Sequence, residues 1–146
     1  MGKWTKKVEE KEYKISEENA EAAVREFLDY FETGLPSDTT EETEQSADMF
    51  FSRLVDAYRR GQLENKMDEN LGFCVIQNIK GRESVTYREF KTKDRSILEK
   101  YSDTQAESRA IALMGKLSGY GEDFIKSFSA PDFRVCMALA ALYFLV

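Results

Sequence analysis

The stretch Val135–Val146 (VCMALAALYFLV) contains no charged side chain, although charged residues make up 33% of this 146-residue chain. A surface helix normally carries an apolar stripe about 100° wide, so a helix that is apolar on all sides has to be covered on all sides. Pro131, just before the stretch, is typical of the first turn of a helix. We therefore predict a central last helix, with a partly exposed contact surface as the alternative.

The first helix is predicted over residues 17–32. Ser16 is a suitable N-cap, apolar residues recur with helical spacing, and Gly34 and Pro36 end the pattern. Before this helix, residues 1–15 are predicted to form an extended N-terminal segment. After it, residues 37–46 (SDTTEETEQS) carry no aliphatic side chain, which predicts an acidic flexible loop.

The second helix is predicted from about Thr43 or Ser46 to Arg60, since Gly61 is a typical C-terminal stop. Two strand-like runs follow, Phe73–Ile79 (FCVIQNI) and Ser84–Phe90 (SVTYREF), separated by a turn that contains glycine. This pattern predicts a β-hairpin. Neither face of its second strand is wholly apolar, so we expect the hairpin at the edge of the fold.

Three more helical segments precede the last helix. One can be capped by Thr92 and another by Ser102 or Asp103, and the latter should stop at Gly119. A short helical piece is predicted over Glu122–Phe128. The predicted fold class is mainly α with one β-hairpin (α+β), with about five helices in a single domain over residues 1–146.

The residue types argue against an enzyme. The chain has no histidine, which excludes Ser-His-Asp and Cys-His nucleophile pairs and histidine-containing zinc sites. Cys74 and Cys136 match no CxxC pattern, and we expect both to be buried free thiols. No phosphate loop, dinucleotide motif or calcium loop is present. We predict no catalytic residues, no cofactor and no metal.

Charge is distributed unevenly. Residues 1–70 hold 10 basic and 18 acidic side chains, whereas residues 71–146 hold 11 basic and 9 acidic ones. An acidic surface disfavours nucleic-acid binding, because phosphate contacts need clustered lysine and arginine. The basic residues between Lys80 and Arg95 are interleaved with acids and are expected on a solvated face.

The apolar stretches predict that the protein does not associate with a membrane. Spanning a bilayer takes about 20 apolar residues, and the terminal run is shorter. The N-terminus (MGKWTKKVEEKEYK) lacks the apolar centre of a secretory signal. We expect a cytoplasmic protein, in the cytoplasm of the host cell if it is viral.

A family resemblance covers the segment from Val85 to the C-terminus. The pattern consists of a strand ending in an Arg-Glu pair, a polar turn with an Asp-capped helix, and a helix ending in Leu-x-Gly. A short helix with an acidic start follows, and then a Pro/Asp-x-Phe or Asp-Tyr start to an apolar last helix. The matching positions are Tyr87, Arg88, Glu89, Asp94, Leu117, Gly119, Glu122, Asp123, Asp132 and Phe133. The segment resembles the tail assembly chaperones of long-tailed, Mu-like bacteriophages.

The resemblance implies a non-enzymatic protein that binds the tape-measure or tail-tube proteins through apolar surface. The candidate partner-binding residues are Tyr87, Phe90, Phe128, Phe133, Tyr143, Phe144 and Leu145. Phe128 and Phe133 also fit the role of core staples beside Pro131. Two alternatives remain: a structural subunit of a virion or injection device, forming a homo-oligomer, or an acidic inhibitor or decoy of a nucleic-acid-binding enzyme.

Overall fold

The computed structural model describes residues 13–33 and 41–145. Within them, the α-helices are α1 (Glu17–Tyr30), α2 (Glu41–Arg59), α3 (Arg95–Glu99), α4 (Ala106–Ser118), α5 (Glu122–Lys126) and α6 (Ala130–Tyr143), and the strands are β1 (Leu63–Asp68), β2 (Gly72–Gln77) and β3 (Val85–Tyr87). Two 3-10 turns, Thr92–Asp94 and Asp103–Gln105, precede α3 and α4. The α+β class is confirmed, and the predicted N-terminal segment lies outside the described residues apart from residues 13–15.

Helix α1 begins where the sequence predicts. The Ser16 hydroxyl accepts a hydrogen bond from the backbone N–H of Asn19 at 3.1 Å, which satisfies one of the free donors of the first turn. One side of the helix is buried and supplies Ala20, Val24, Phe27 and Leu28 to the core. The helix ends at Tyr30, two residues before the predicted end.

Helix α2 begins earlier than predicted, at Glu41. The loop prediction is therefore wrong for residues 41 and 42, and residues 43–46, which the loop and helix predictions shared, are helical. Residues 37–40 lie outside the described part of the chain. Glutamate and glutamine are good helix formers, and acidic residues suit a helix N-terminus, so a polar acidic run there does not argue against a helix. The helix ends before Gly61, which adopts a φ of 75°.

The sheet contains one strand more than the predicted hairpin. Its order is β1-β2-β3 with both pairs antiparallel, so β2 lies in the centre. The predicted hairpin corresponds to β2 and β3. Its expected position at the edge of the fold is wrong, because Val85 and Tyr87 of β3 are 1% and 0% exposed and belong to the core.

Helix α6 packs against α2 and α4, and its buried residues are Cys136, Leu139, Ala140, Leu142 and Tyr143. The buried side of α6 confirms the prediction that the last helix is part of the core. The Tyr143 ring lies 5.0 Å from Phe27 of α1 and 6.1 Å from Phe90, which connects the first and last helices. No helix in the described ranges is long and apolar enough to cross a membrane.

A buried polar network joins the sheet to α6. Gln77 is fully buried; its Oε1 accepts a hydrogen bond from the Tyr87 hydroxyl at 2.7 Å, and its Nε2 donates to the backbone carbonyl of Asp132 at 2.9 Å. The Tyr87 hydroxyl also lies 3.4 Å from the Cys136 sulfur. Because each buried polar group has a partner, the network fixes the start of α6 against β2 and β3.

Candidate functional site: a groove between two helices

The side of α6 that is not buried faces an apolar groove shared with α2. The groove has a volume of about 340 Å³. It is lined by Met49, Phe50, Arg53, Phe133, Arg134, Met137, Ala138 and Ala141. We call this the α2–α6 groove. Met49 is 58% exposed at its rim, whereas Phe50 and Met137 are partly buried and pack against the core.

A second depression continues along the same two helices. It is lined by Arg53, Asp56, Ala57, Arg60, Gln62, Pro131, Arg134, Val135 and Ala138, and it has a volume of about 420 Å³. Arg53, Arg134 and Ala138 line both depressions, so the two adjoin along α2 and α6. Arg60 is engaged by Asp56 through an ion pair of 2.8 Å.

The chemistry of the groove suits a protein segment. Methionine side chains are flexible and polarizable, so they adapt to different apolar partners. Arg53 and Arg134 place positive charge beside the apolar floor, where acidic side chains of a partner would be attracted. Small residues at Ala138 and Ala141 leave room for a partner to approach the α6 backbone.

Neither cysteine is suited to nucleophilic chemistry. Cys74 and Cys136 are free and buried, as predicted. Burial raises the pKa of the Cys136 thiol to about 12, although its contact with Tyr87 acts in the opposite direction. Burial also raises the pKa of the Cys74 thiol, with the charges of Asp68 and Glu89 adding to the effect. Since the thiolate is the reactive form, both sulfurs are inert at neutral pH.

No group of three or more histidine, cysteine, aspartate or glutamate side chains that could hold a metal ion occurs in the described part of the chain. The groove residues themselves are apolar or basic, apart from the paired Asp56 and from Gln62. An apolar floor flanked by basic side chains is suited to binding a protein segment.

The seven candidate partner-binding residues separate into two groups. Tyr87, Phe90, Phe128 and Tyr143 are buried in the core and present no surface to a partner in this conformation. Phe133, Phe144 and Leu145 are partly buried at the margin of the core. Among these three, Phe133 lines the groove, while Phe144 lies under the Arg109 guanidinium at 5.1 Å.

Several polar residues that carry the family resemblance form hydrogen bonds within the fold. Arg88 donates two hydrogen bonds of 2.8 Å to the carboxylate of Asp94, which also accepts the backbone N–H of Lys91 at 2.8 Å. Burial of the Asp94 carboxyl opposes its ionisation, but these hydrogen bonds and the charges of Arg88 and Lys116 outweigh it and lower the pKa to about 2. Because Arg88 is paired with a buried carboxylate and is only 22% exposed, it does not lie on a solvated face. This contradicts the prediction for the basic residues between Lys80 and Arg95.

Glu89, the neighbour of Arg88, contacts strand β2 and helix α1. Its carboxylate accepts hydrogen bonds from the Tyr30 hydroxyl and from the backbone N–H of Phe73, the latter at 3.1 Å. Burial opposes ionisation here as well, but the hydrogen bonds and the nearby charge of Lys91 lower the pKa of Glu89. The Arg-Glu pair thus anchors β3 to the turn before α3 on one side and to α1 on the other.

Sequence reasoning missed most of the groove. Met49, Arg53 and Ala141 carry no motif, and their side of each helix is recognisable only after α2 and α6 are packed together. The available signal was the helical spacing of Phe133, Met137 and Ala141 along α6, which places the three on one face. No family model, curated protein or solved structure matches the chain significantly.

Proposed function

We propose that this chain is a non-enzymatic assembly protein of the tail assembly chaperone type, which binds an apolar segment of a tape-measure or tail-tube protein in the cytoplasm. The observation that carries the proposal is the α2–α6 groove, which has an apolar floor and lies beside a helix that is otherwise central to the core. The resemblance of residues 85–145 to that family supplies the identity of the client.

The groove favours a helical client. Amphipathic helices bind such grooves through apolar anchors spaced three or four residues apart. The two depressions would each take one or two anchors, one near Met49 and Met137 and the other near Val135. Arg53 and Arg134 favour a client with acidic residues beside its anchors.

The acidic character of the protein fits the same role. The formal net charge is −6, and a net charge away from zero keeps a protein with exposed apolar surface soluble. A client whose apolar face is covered by the groove would share that charged exterior. The complex would then resist aggregation better than the client alone.

The test uses a fluorescently labelled amphipathic helix from a phage tape-measure protein and the purified full-length chain. Replacing the partly buried Met137 by glutamate puts a charge on the apolar floor, and we expect binding to weaken at least tenfold, which corresponds to about 1.4 kcal/mol. Tyr120→Glu is the matched control, because Tyr120 is 65% exposed and lies outside the groove. Equal affinity of the two variants would refute the proposal.

A further inference from the structure

Among the residues that the structure describes, none pairs with the outer edge of strand β1. The backbone N–H of Asn78 donates to the carbonyl of Gln62 at 2.9 Å, which continues the β1–β2 register. Hydrogen-bonding direction alternates along an antiparallel strand, so even-numbered residues of β1 bond to β2 and the odd-numbered ones face outward. Leu63, Asn65 and Met67 therefore direct their backbone groups away from the sheet, and no described residue pairs with them through the backbone.

The direction of the β2 hydrogen bonds agrees with this assignment. The N–H of Phe73, an odd-numbered residue of β2, points away from β1 and donates to the Glu89 carboxylate on the β3 side at 3.1 Å. Unpaired strand edges are templates for adding another strand.

We propose that the free edge of β1 pairs with β1 of a second copy of this chain, antiparallel and about a two-fold axis between the two Asn65 residues. In this register Leu63 lies opposite Met67 of the second copy, and Glu64 lies opposite Lys66 of the second copy. The outward-facing residues pair with one another through backbone hydrogen bonds. The two three-stranded sheets then form one continuous six-stranded sheet.

The charge pattern of β1 (LENKMD) selects this register. Glu64 and Lys66 are exposed and lie on the same face of the strand, so the two-fold axis brings two oppositely charged pairs together. A shift by two residues in one direction places Glu64 opposite Glu64 of the second copy. The opposite shift places Lys66 opposite Lys66 of the second copy. Like charges directly opposite are unfavourable, so both neighbouring registers are disfavoured.

The exposed apolar residue of the edge, Met67, gains cover in the same arrangement. Met67 is 62% exposed in the single chain, beside an open depression of about 760 Å³ that Tyr30 and Phe73 also line. In the pair, the backbone of Leu63 of the second copy lies opposite Met67, whereas the Leu63 side chain is 1% exposed and stays in the core of its own chain. The side of α1 above the edge carries the small residues Ala22 and Ala23 together with Glu26, which accepts a hydrogen bond from the Asn65 side chain at 2.9 Å.

The strand is held in a conformation ready for pairing. The Asn65 side chain donates to the carbonyl of Ala23 at 2.8 Å and accepts the Tyr58 hydroxyl at 2.6 Å. These bonds fix the centre of β1 before any partner arrives, which reduces the entropy lost on association. A contact centred on one short strand is smaller than the roughly 1,200–2,000 Å² of a stable interface, so the dimer should be weak and concentration-dependent.

Sedimentation equilibrium of the full-length chain over a wide concentration range tests the proposal. We expect a monomer–dimer equilibrium for the native protein. Lys66→Glu and Glu64→Lys, each of which puts like charges opposite one another, should both raise the dimer Kd about tenfold or more. The double variant E64K/K66E recreates the two opposite-charge pairs and should return the Kd to near the native value.

Glu69→Lys is the matched control, since it changes the net charge as Glu64→Lys does but lies in the exposed turn after β1. Glu64→Gln controls for the 2.6 Å hydrogen bond between Asn78 and Glu64. A strictly monomeric native protein would overturn the proposal. A dimer that tolerates both single reversals, or a double variant that stays monomeric, would overturn it as well.

Discussion

Arg88 and Asp94 form two parallel hydrogen bonds of 2.8 Å each, and the Asp94 side chain is fully buried. This pair joins the end of β3 to the 3-10 turn before α3. Lys116 of α4 approaches the same carboxylate at 3.5 Å. The end of β3, the 3-10 turn and helix α4 are thus held together at one buried carboxylate.

Removal of this carboxylate should destabilise the fold. Asp94→Ala leaves the Arg88 guanidinium, which is 22% exposed, without its partner, and we expect the free energy of unfolding to fall by about 3 kcal/mol. Urea unfolding followed by circular dichroism measures the change. Asp123→Ala, at an exposed position in the first turn of α5, should change the free energy by no more than about 0.5 kcal/mol. Equal effects would mean that the pair contributes nothing.

Acid should destabilise the protein through the same group. The pKa of Asp94 is about 2 in the folded state and near its ordinary 3.8 when unfolded, so the unfolded chain binds the proton first as pH falls. The stabilisation, about 2 kcal/mol, is fully present above about pH 4 and is lost as pH falls through about 2. The difference in unfolding free energy between the native protein and Asp94→Asn should therefore shrink over this interval. A constant difference would contradict the low pKa.

A third prediction concerns the hydroxyl of Tyr143, which is buried without a hydrogen-bond partner in the described structure. Tyr143→Phe keeps the ring against Phe27 and removes the unsatisfied group, so we expect a gain of about 1 kcal/mol. Tyr87→Phe is the matched control: it removes a satisfied hydroxyl bonded to Gln77 and should lower stability by a similar amount. Thermal melting separates the two, and destabilisation by both changes would show that the Tyr143 hydroxyl has a partner.

Helices whose ends are marked by capping residues or glycines in their own sequence could be predicted. Ser16 sets the start of α1, and Gly119, with a φ of 80°, ends α4 as predicted. The apolar composition of α6 also indicated a central helix. These features depend on caps, glycine conformations and local spacing, which are properties of short segments.

The elements that depend on packing could not be predicted. Strand β1 has charges at three of its six positions, Glu64, Lys66 and Asp68, and it becomes a strand because it pairs with β2. Likewise, the partly exposed side of α6 is the side that α2 and α4 do not cover. Tyr87 and Phe133 were both predicted to bind a partner because both are aromatic. The structure buries Tyr87 in the core and places Phe133 in the groove.

The last prediction concerns the close approach of α4 and α5. A Cβ atom on Gly115 would lie 2.7 Å from the backbone carbon of Gly121, whose N–H donates to the Gly115 carbonyl at 3.0 Å. Within a helix, Gly→Ala normally stabilises by up to about 1 kcal/mol, but here the added methyl group forces two backbone segments apart. We expect Gly115→Ala to lower the unfolding free energy by about 2 kcal/mol.

Ser108→Ala, at an exposed position of the same helix, gives the baseline for helix propensity and should be neutral or slightly stabilising. The sign of the Gly115→Ala effect is therefore decisive in urea unfolding. A stabilised variant would mean that the turn between α4 and α5 yields easily and that the spacing of the two helices is not set by this contact. A destabilised one would show that a glycine at this position is required for the sharp turn that leads into α5 and α6.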